Sequence, residues 1–273
     1  MIYKYSIKHN QSVHSVLFHL LTNLFRNVSY PFARPVQTDM QFVFVVGCGH
    51  SGTTLMAAKL GNAPKCMAIG RETKRFLPET GIGSSVTAVE EWIYFAELLG
   101  RCVIIEKTPK HIHVMKRISK IIPGAKFIVM VRNPLDNCAS MTSRFGSVRY
   151  AIERWILDNS CILPVLSDTA NYKIVKYEKL TASPERTLRD VCDFARIPWD
   201  PAILTAGETI YDTTNQDPNM TIRRSQVSSR ITPNNGNWQR TLGKSDEELV
   251  ITKTMKLAKQ LGYTREEIYG YLQ

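Results

Sequence analysis

QFVFVVGCGHSGTTL, Gln41–Leu55, is the stretch on which the reading of this chain turns. Gln41–Gly47 is a continuous apolar run, rich in Val and Phe and ending in glycine. That is the pattern of a strand buried on both faces of a parallel sheet. Thr53–Gly61 follows as a helix. A glycine-rich turn from strand into helix aims backbone N–H groups at one point, and the helix dipole adds partial positive charge there. The turn with Gly49, Ser51, Gly52, Thr53 and Thr54 therefore predicts an anion site. Its spacing nearly matches G-x-x-x-x-G-K-[ST], except that Thr53 stands at the lysine position. That lysine reaches the outer phosphates of a nucleoside triphosphate, so its absence counts against a kinase, ATPase or GTPase.

Outward from this stretch, strand and helix patterns alternate. Residues 88–100 read as helix, Cys102–Glu106 as a second strand, and residues 111–121 as a helix ending before Pro123 and Gly124. Lys126–Arg132 reads as a third strand and Pro134–Arg144 as a helix with proline in its first turn. Tyr172–Tyr177 reads as a fourth strand, and Ser183–Arg196 as a helix with Ser183 at its N-cap. Residues 208–244 read as a long polar loop, and Ser245 as the cap of a last helix with acidic residues in its first turn. The alternation predicts an α/β fold, a P-loop-NTPase-like parallel sheet flanked by helices on both faces, over residues 41–273. Residues 1–40 read as an N-terminal helical extension. Val13, Val16, Leu17, Leu20, Leu21 and Leu24 recur there at helical spacing. Any membrane association is expected only through residues 12–25.

Composition bounds the function. Among 273 residues, 44% are hydrophobic and 22% charged, which excludes a disordered or fibrous chain. The sequence has no 18-residue apolar run to cross a membrane. Lys and Arg number 35 against 24 Asp and Glu, a formal charge of +11, which points to an anionic partner. The chain carries no zinc-finger, RNP-like or basic-aromatic motif, so no nucleic acid is expected. Cys48, Cys66, Cys102, Cys138, Cys161 and Cys192 include no C-x-x-C pair and no zinc-ligand spacing. No metal is expected, and a reducing, cytoplasmic compartment is favoured over a secreted disulfide framework. Cys102, Cys138 and Cys192 read as buried small hydrophobes.

A second anchor follows the third strand. Arg132 leaves the strand end, where open α/β sheets bind ligands, and Ser140 and Arg144 lie four apart on one helix face. Together they are suited to grip a phosphate.

His50-Ser51-Gly52-Thr53-Thr54-Leu55-Met56 after a strand resembles the 5′-phosphosulfate loop of sulfotransferases. Those enzymes move a sulfuryl group from 3′-phosphoadenylyl sulfate (PAPS) to an acceptor hydroxyl or amine. Arg132-Asn133-Pro134 with Asp136 and Ser140 resembles the family's 3′-phosphate motif. Family members usually carry Lys or Arg where this chain has His50. Gly70-Arg71-Glu72-Thr73-Lys74 with Pro78 looks like a segment of protein-tyrosine sulfotransferases, and the resemblance implies Glu72 as base. Lys107, in Glu106-Lys107-Thr108-Pro109, looks like the lysine that stabilises the transferring sulfate. Tyr177 resembles the tyrosine at the donor adenosine site, and Gly236-Asn237-Trp238 a G-x-W element near the donor.

The resemblance implies the sulfotransferase fold and a division of labour. Glu72, Lys107, His50 and Ser225 would carry catalysis. Gly49, His50, Ser51, Gly52, Thr53, Thr54, Arg132, Ser140, Arg144, Tyr177, Ser228, Ser229, Arg230 and Trp238 would hold PAPS, with adenosine 3′,5′-bisphosphate as product and no metal. Arg71, Lys74 and Thr108 would face the acceptor, an acidic peptide, an anionic glycan or a small molecule. His111 and His113 are rival bases, since some sulfotransferases place a histidine after the second strand. A degenerate P-loop kinase or NTPase and a non-catalytic anion-binding module are the competing classes, and the Golgi lumen is the alternative compartment.

Overall fold

A computed structural model of the chain describes residues 35–205, 231 and 236–269. Five strands form its sheet: β1 (Gln41–Gly47), β2 (Cys66–Ala68), β3 (Val103–Lys107), β4 (Lys126–Val131) and β5 (Tyr172–Lys176). All pairings are parallel, in the order β2-β3-β1-β4-β5. The chain runs from β1 toward one edge and from β4 toward the other. The order thus reverses beside β1, and the crevice at the carboxyl ends of such strands is where this class of sheet binds ligands.

Both faces of the sheet are covered, so both phases of each strand must be apolar. Phe42, Phe44 and Val46 join Ile104, Phe127, Val129 and Val131 in one core, while Val43 and Val45 join Ile105, Ile128, Met130 and Val175 in the other. On the first face the Phe44 ring stacks 5.5 Å from Phe127, which stacks 4.9 Å from Tyr172. Helices α1 (Thr53–Gly61), α2 (Ile82–Leu98), α3 (Met115–Ile121), α4 (Pro134–Phe145), α5 (Val148–Ser160), α6 (Tyr177–Ala182) and α7 (Pro184–Ala195) follow the strands. Three more close the described chain: α8 (Trp238–Thr241), α9 (Lys244–Gln260) and α10 (Arg265–Tyr269).

The expected strands stand, with several corrections; most of the expected loop at 208–244 lies outside the described residues. Helix α2 begins at Ile82, six residues before the predicted start at 88. Gly83, Ser84 and Ser85 weaken the helical signal there, and the Ser85 hydroxyl donates to the Arg75 carbonyl at 2.7 Å. Residues 109–114 form a 3-10 turn before α3, because Pro109 opens it. Strand β2 is only three residues long, too short for a periodic signal. Helix α5 adds to the expected elements, with Ala151, Ile152 and Trp155 as its buried stripe. Gly243, not Ser245, stands at the N-cap of α9, and α10 follows it. Four residues of the supposed long loop form α8. Cys138 and Cys192 are buried as expected, but Cys102 is exposed, because β3 starts one residue after it. All six cysteines are free. Among the described residues, no helix is long and apolar enough to cross a membrane. The apolar stripe at Val13–Leu24 lies outside the described residues.

Trp155 ties the second helical layer to the sheet. Its ring is fully buried and its indole N–H donates to the Arg132 carbonyl at 3.1 Å. Trp155→Ala is expected to cost about 3–5 kcal/mol, read from urea unfolding. A loss under about 1 kcal/mol would refute this anchoring role.

Candidate active site

The loop after β1 is built by close approach. At Gly47 φ is +149°, and a Cβ would lie 2.3 Å from the Met130 carbonyl oxygen. At Gly52 φ is +88°, and a Cβ would lie 2.5 Å from the Tyr177 ring. Only glycine meets both demands. Between them, the carbonyls of Cys48, Gly49 and His50 all accept from the protein. Their donors are the Ser51 hydroxyl at 2.5 Å, the Asn137 amide at 3.0 Å and the Arg132 guanidinium at 3.3 Å. With its acceptors so engaged, the loop leads into α1, whose N-terminus carries no side-chain cap. The first-turn N–H groups of such a helix are donors for an anion.

His50 takes φ +65°, unusual for a residue with a Cβ. Its Nδ1 lies 2.8 Å from the Ser140 hydroxyl, so the two sequence anchors meet here. The Phe145 ring packs edge-on against the imidazole at 6.0 Å, and the Arg144 guanidinium lies 5.3 Å from the centre of the Phe145 ring. Arg132 stacks on Tyr177 at 4.5 Å. Burial pushes the Tyr177 hydroxyl up, against the opposing pull of Arg132. Tyr177 thus fills the space between Gly52 and Arg132, joining the ends of β1, β4 and β5.

A second cluster lies one strand over. Lys107 ends β3, level with Val45 of β1, and its ammonium donates to the Glu72 carboxylate at 3.0 Å. Lys107 is buried, whereas Glu72 is partly exposed. Beside the pair, the buried carboxylate of Glu106 accepts from the Thr73 hydroxyl at 2.9 Å, the Thr108 hydroxyl at 2.6 Å and His111 Nδ1 at 2.9 Å. Burial alone would raise the Glu106 pKa. The His111 charge and the donors from His111, Thr108 and Thr73 outweigh it and hold the carboxyl below its usual range.

This cluster corrects three expectations. Thr108 is fully buried and spends its hydroxyl on Glu106, so it does not face an acceptor. His111 is neither a surface residue nor a base in the crevice: its ring is buried against Phe76 at 5.4 Å. His113 is engaged elsewhere, 2.7 Å from Asp158 and 3.2 Å from the Cys161 sulfur. Arg71 and Lys74 are exposed beside Glu72, as an acceptor-facing role requires. Trp238 is buried in the core, its backbone N–H directed at Asp136. Ser225, Ser228, Ser229 and Arg230 lie outside the described residues. Among the described residues, no group of three or more His, Cys, Asp or Glu is placed to hold a metal.

Sequence reading missed the supports. Asn137 holds the loop carbonyl, and Asn133 caps α4 by accepting from the Leu135 N–H at 2.9 Å. The Asn133 N–H in turn donates to buried Glu178 at 2.8 Å. Asn before Pro134 was a readable cap signal. Nothing local marks Asn137, whose partner Gly49 lies 88 residues away, or the tie from Thr73 to Glu106 across 33 residues.

Comparison with known proteins follows the same lines. The sulfotransferase family model matches residues 82–201. Protein-tyrosine sulfotransferase 1 of Danio rerio is 28% identical over 218 residues, covering 68% of this chain and 61% of that protein. The Homo sapiens protein of that name is 27% identical over 206 residues, covering 63% and 55%. The chain thus spans less than two thirds of the length of these relatives. Among solved structures, the sulfotransferase domain of the Synechococcus PCC 7002 olefin synthase superposes with a TM-score of 0.60 at 22% identity, over 85% of this chain and 98% of that one. Mouse sulfotransferase SULT7A1, complexed with PAP, gives 0.50 at 13%, over 84% and 90%. These likenesses show that the fold is that of the sulfotransferases.

Two outcomes follow from the geometry. Gly52→Ala is expected to destabilise the fold by about 2 kcal/mol, from left-handed strain and the Tyr177 clash; an unchanged urea midpoint would contradict it. Glu106 has a depressed folded-state pKa. Its ionic contribution is therefore present above the unfolded value of about 4.3 and lost as pH falls through the folded one. The Tm gap between wild type and Glu106→Gln should be wide at neutral pH and narrow in acid. A gap constant with pH would refute the assignment.

Proposed function

We propose that this chain, a relative of the sulfotransferases at low identity, moves a sulfuryl group from PAPS to an acceptor hydroxyl. The observation that carries the reading is the pairing of two sites across β1 and β3. An anion cradle stands at Gly47–Thr54, and a carboxylate–ammonium pair stands beside it, Lys107 at the end of the neighbouring strand and Glu72 on the segment that faces it. A cradle that admits no Cβ suits close backbone approach to a phosphosulfate. Arg132, Ser140 and Arg144 are the side chains for the 3′-phosphate, with Tyr177 beside them at the adenosine. We take residues 41–273 as the catalytic unit and 1–40 as an extension.

PAPS supplies an activated sulfuryl group on its 5′-phosphate. Transfer forms a bond from the acceptor oxygen to sulfur and breaks the bridging bond to the 5′-phosphate. Charge grows on the leaving phosphate and on the sulfate oxygens. Fixed positive groups already in place stabilise such growth without reorganisation. Glu72 accepts the acceptor proton, and Lys107, held beside it, meets the sulfate charge. His50 and the α1 N-terminus face the leaving phosphate. His50 places an imidazole where such enzymes usually carry Lys or Arg.

The acceptor we take first is the tyrosine of an acidic peptide. Arg71, Lys74 and Arg75 are exposed around Glu72 and give that rim a positive field. The protein-tyrosine sulfotransferase names of the relatives support the same choice. The cytoplasmic expectation rested on cysteine usage, and these relatives add nothing to it.

Calorimetry with adenosine 3′,5′-bisphosphate is expected to show binding without metal and in preference to ATP or GTP with Mg²⁺. Preference for a triphosphate would move the chain to the NTPase class. Glu72→Gln is expected to lower turnover on the order of 10²–10⁴-fold with bisphosphate affinity intact. Wild-type turnover in that variant would remove Glu72 from the proton-accepting role.

A further inference from the structure

Glu72 sits in a segment without helix or strand, between Ile69 and the buried Phe76. Such a segment needs pins if a carboxylate on it is to keep one position. The Ile69 N–H bonds to the Ile105 carbonyl at 2.8 Å, which fixes the segment's start along the sheet. The Lys74 N–H reaches the Thr108 hydroxyl at 3.3 Å, with Lys74 at φ +55°. Between these two pins, the side-chain tie next to Glu72 is the bond from the Thr73 hydroxyl to Glu106.

Glu106 is well placed to serve both partners of the pair. It lies on β3 opposite Phe44, one residue before Lys107, with its side chain on the sheet face away from that of Lys107. One carboxylate oxygen takes Thr73, from the Glu72 segment, and Thr108, from the residue after Lys107. The other oxygen takes His111. Burying a carboxylate fully is costly unless it is paired and hydrogen-bonded, and this one takes three donors, Thr108 and His111 from just after β3 and Thr73 from the Glu72 segment. The buried His111 ring packs against both Phe44, at 6.4 Å, and Phe76, at 5.4 Å, which restricts the group that holds the second Glu106 oxygen.

We propose that Glu106 is a positioning residue, a buried carboxylate that holds Glu72 opposite Lys107 by accepting from Thr73 and Thr108. The inference rests on Glu72 and Lys107 being the proton acceptor and the sulfate cation. Glu106 touches neither reactant. It acts by keeping the base at the distance that transfer needs, where a displacement of about 1 Å is worth about 10²-fold in rate.

Thr73→Val tests this, since it keeps shape and removes the hydroxyl donated to Glu106; that hydroxyl also accepts the Arg75 N–H at 3.3 Å, so exchange at the Arg75 amide itself is left out of the comparison. Three readouts are taken on full-length wild type, Thr73→Val and Thr73→Ser. They are bisphosphate affinity, turnover with PAPS and an acidic tyrosine peptide, and hydrogen–deuterium exchange over residues 69–77. For Thr73→Val the expected results are unchanged bisphosphate affinity, a kcat lower on the order of 10-fold to 100-fold, and faster exchange confined to residues 69–77. Thr73→Ser, which restores the hydroxyl, should return kcat and exchange toward wild type. Exchange at wild-type rate in Thr73→Val would overturn the proposal whether or not turnover is measurable. Wild-type kcat in that variant would also overturn it, as would failure of Thr73→Ser to rescue. A wild type that binds the bisphosphate yet sulfates no peptide would instead count against the acceptor proposed above. In that case the exchange comparison alone decides the role of Glu106.

Discussion

The Met130 carbonyl lies where a Cβ on Gly47 would come within 2.3 Å, and the Tyr177 ring lies where one on Gly52 would come within 2.5 Å. Two absent methyl groups thus let three strand ends converge. β4 closes on β1 at Gly47, and the residue after β5 closes on the loop at Gly52. Once Tyr177 occupies that gap, Arg132 has a ring to stack on and a carbonyl, that of His50, within reach. The orientation of His50, its contact with Ser140 and the aim of the α1 N-terminus follow from that packing.

Beyond this constraint, the carboxyl edge of the sheet is held by buried polar groups rather than by apolar packing. Glu106 joins the Glu72 segment to β3, Glu178 joins the start of α4 to Tyr263, and Asp158 joins α5 to His113 while pairing with Arg154 at 2.8 Å. Each charge costs desolvation, and each is answered by several donors. Buried networks satisfied in this way rigidify the segments they join. They stand where irregular segments must hold one shape, while the two apolar cores lie behind them on either face of the sheet.

The same arrangement separates tasks in space. The glycine loop follows β1, Arg132 follows β4 and Tyr177 follows β5. The Glu72–Lys107 pair sits on the β3 side, level with the end of β1. On the proposed function, a donor lying across β1 presents its reactive end to a carboxylate and an ammonium held by different elements. His50 places an imidazole where the two anchors meet, its Nδ1 2.8 Å from the Ser140 hydroxyl.

The sequence by itself determined the parallel sheet, the glycine turn and the order of the anchors. Those depend on local chemistry: apolar runs without alternation, glycine where φ is positive, and proline in a first helical turn. It also marked Glu72 and Lys107, though not that they meet. Tertiary structure alone decided the roles of Thr108, His111 and His113. A hydroxyl or imidazole reads the same in sequence whether it faces a ligand or a buried carboxylate, and its partner lies on another strand or helix. Asn137 and Glu106 were illegible for that reason: their work is to join segments 33 to 88 residues apart, and that distance vanishes only when the sheet assembles.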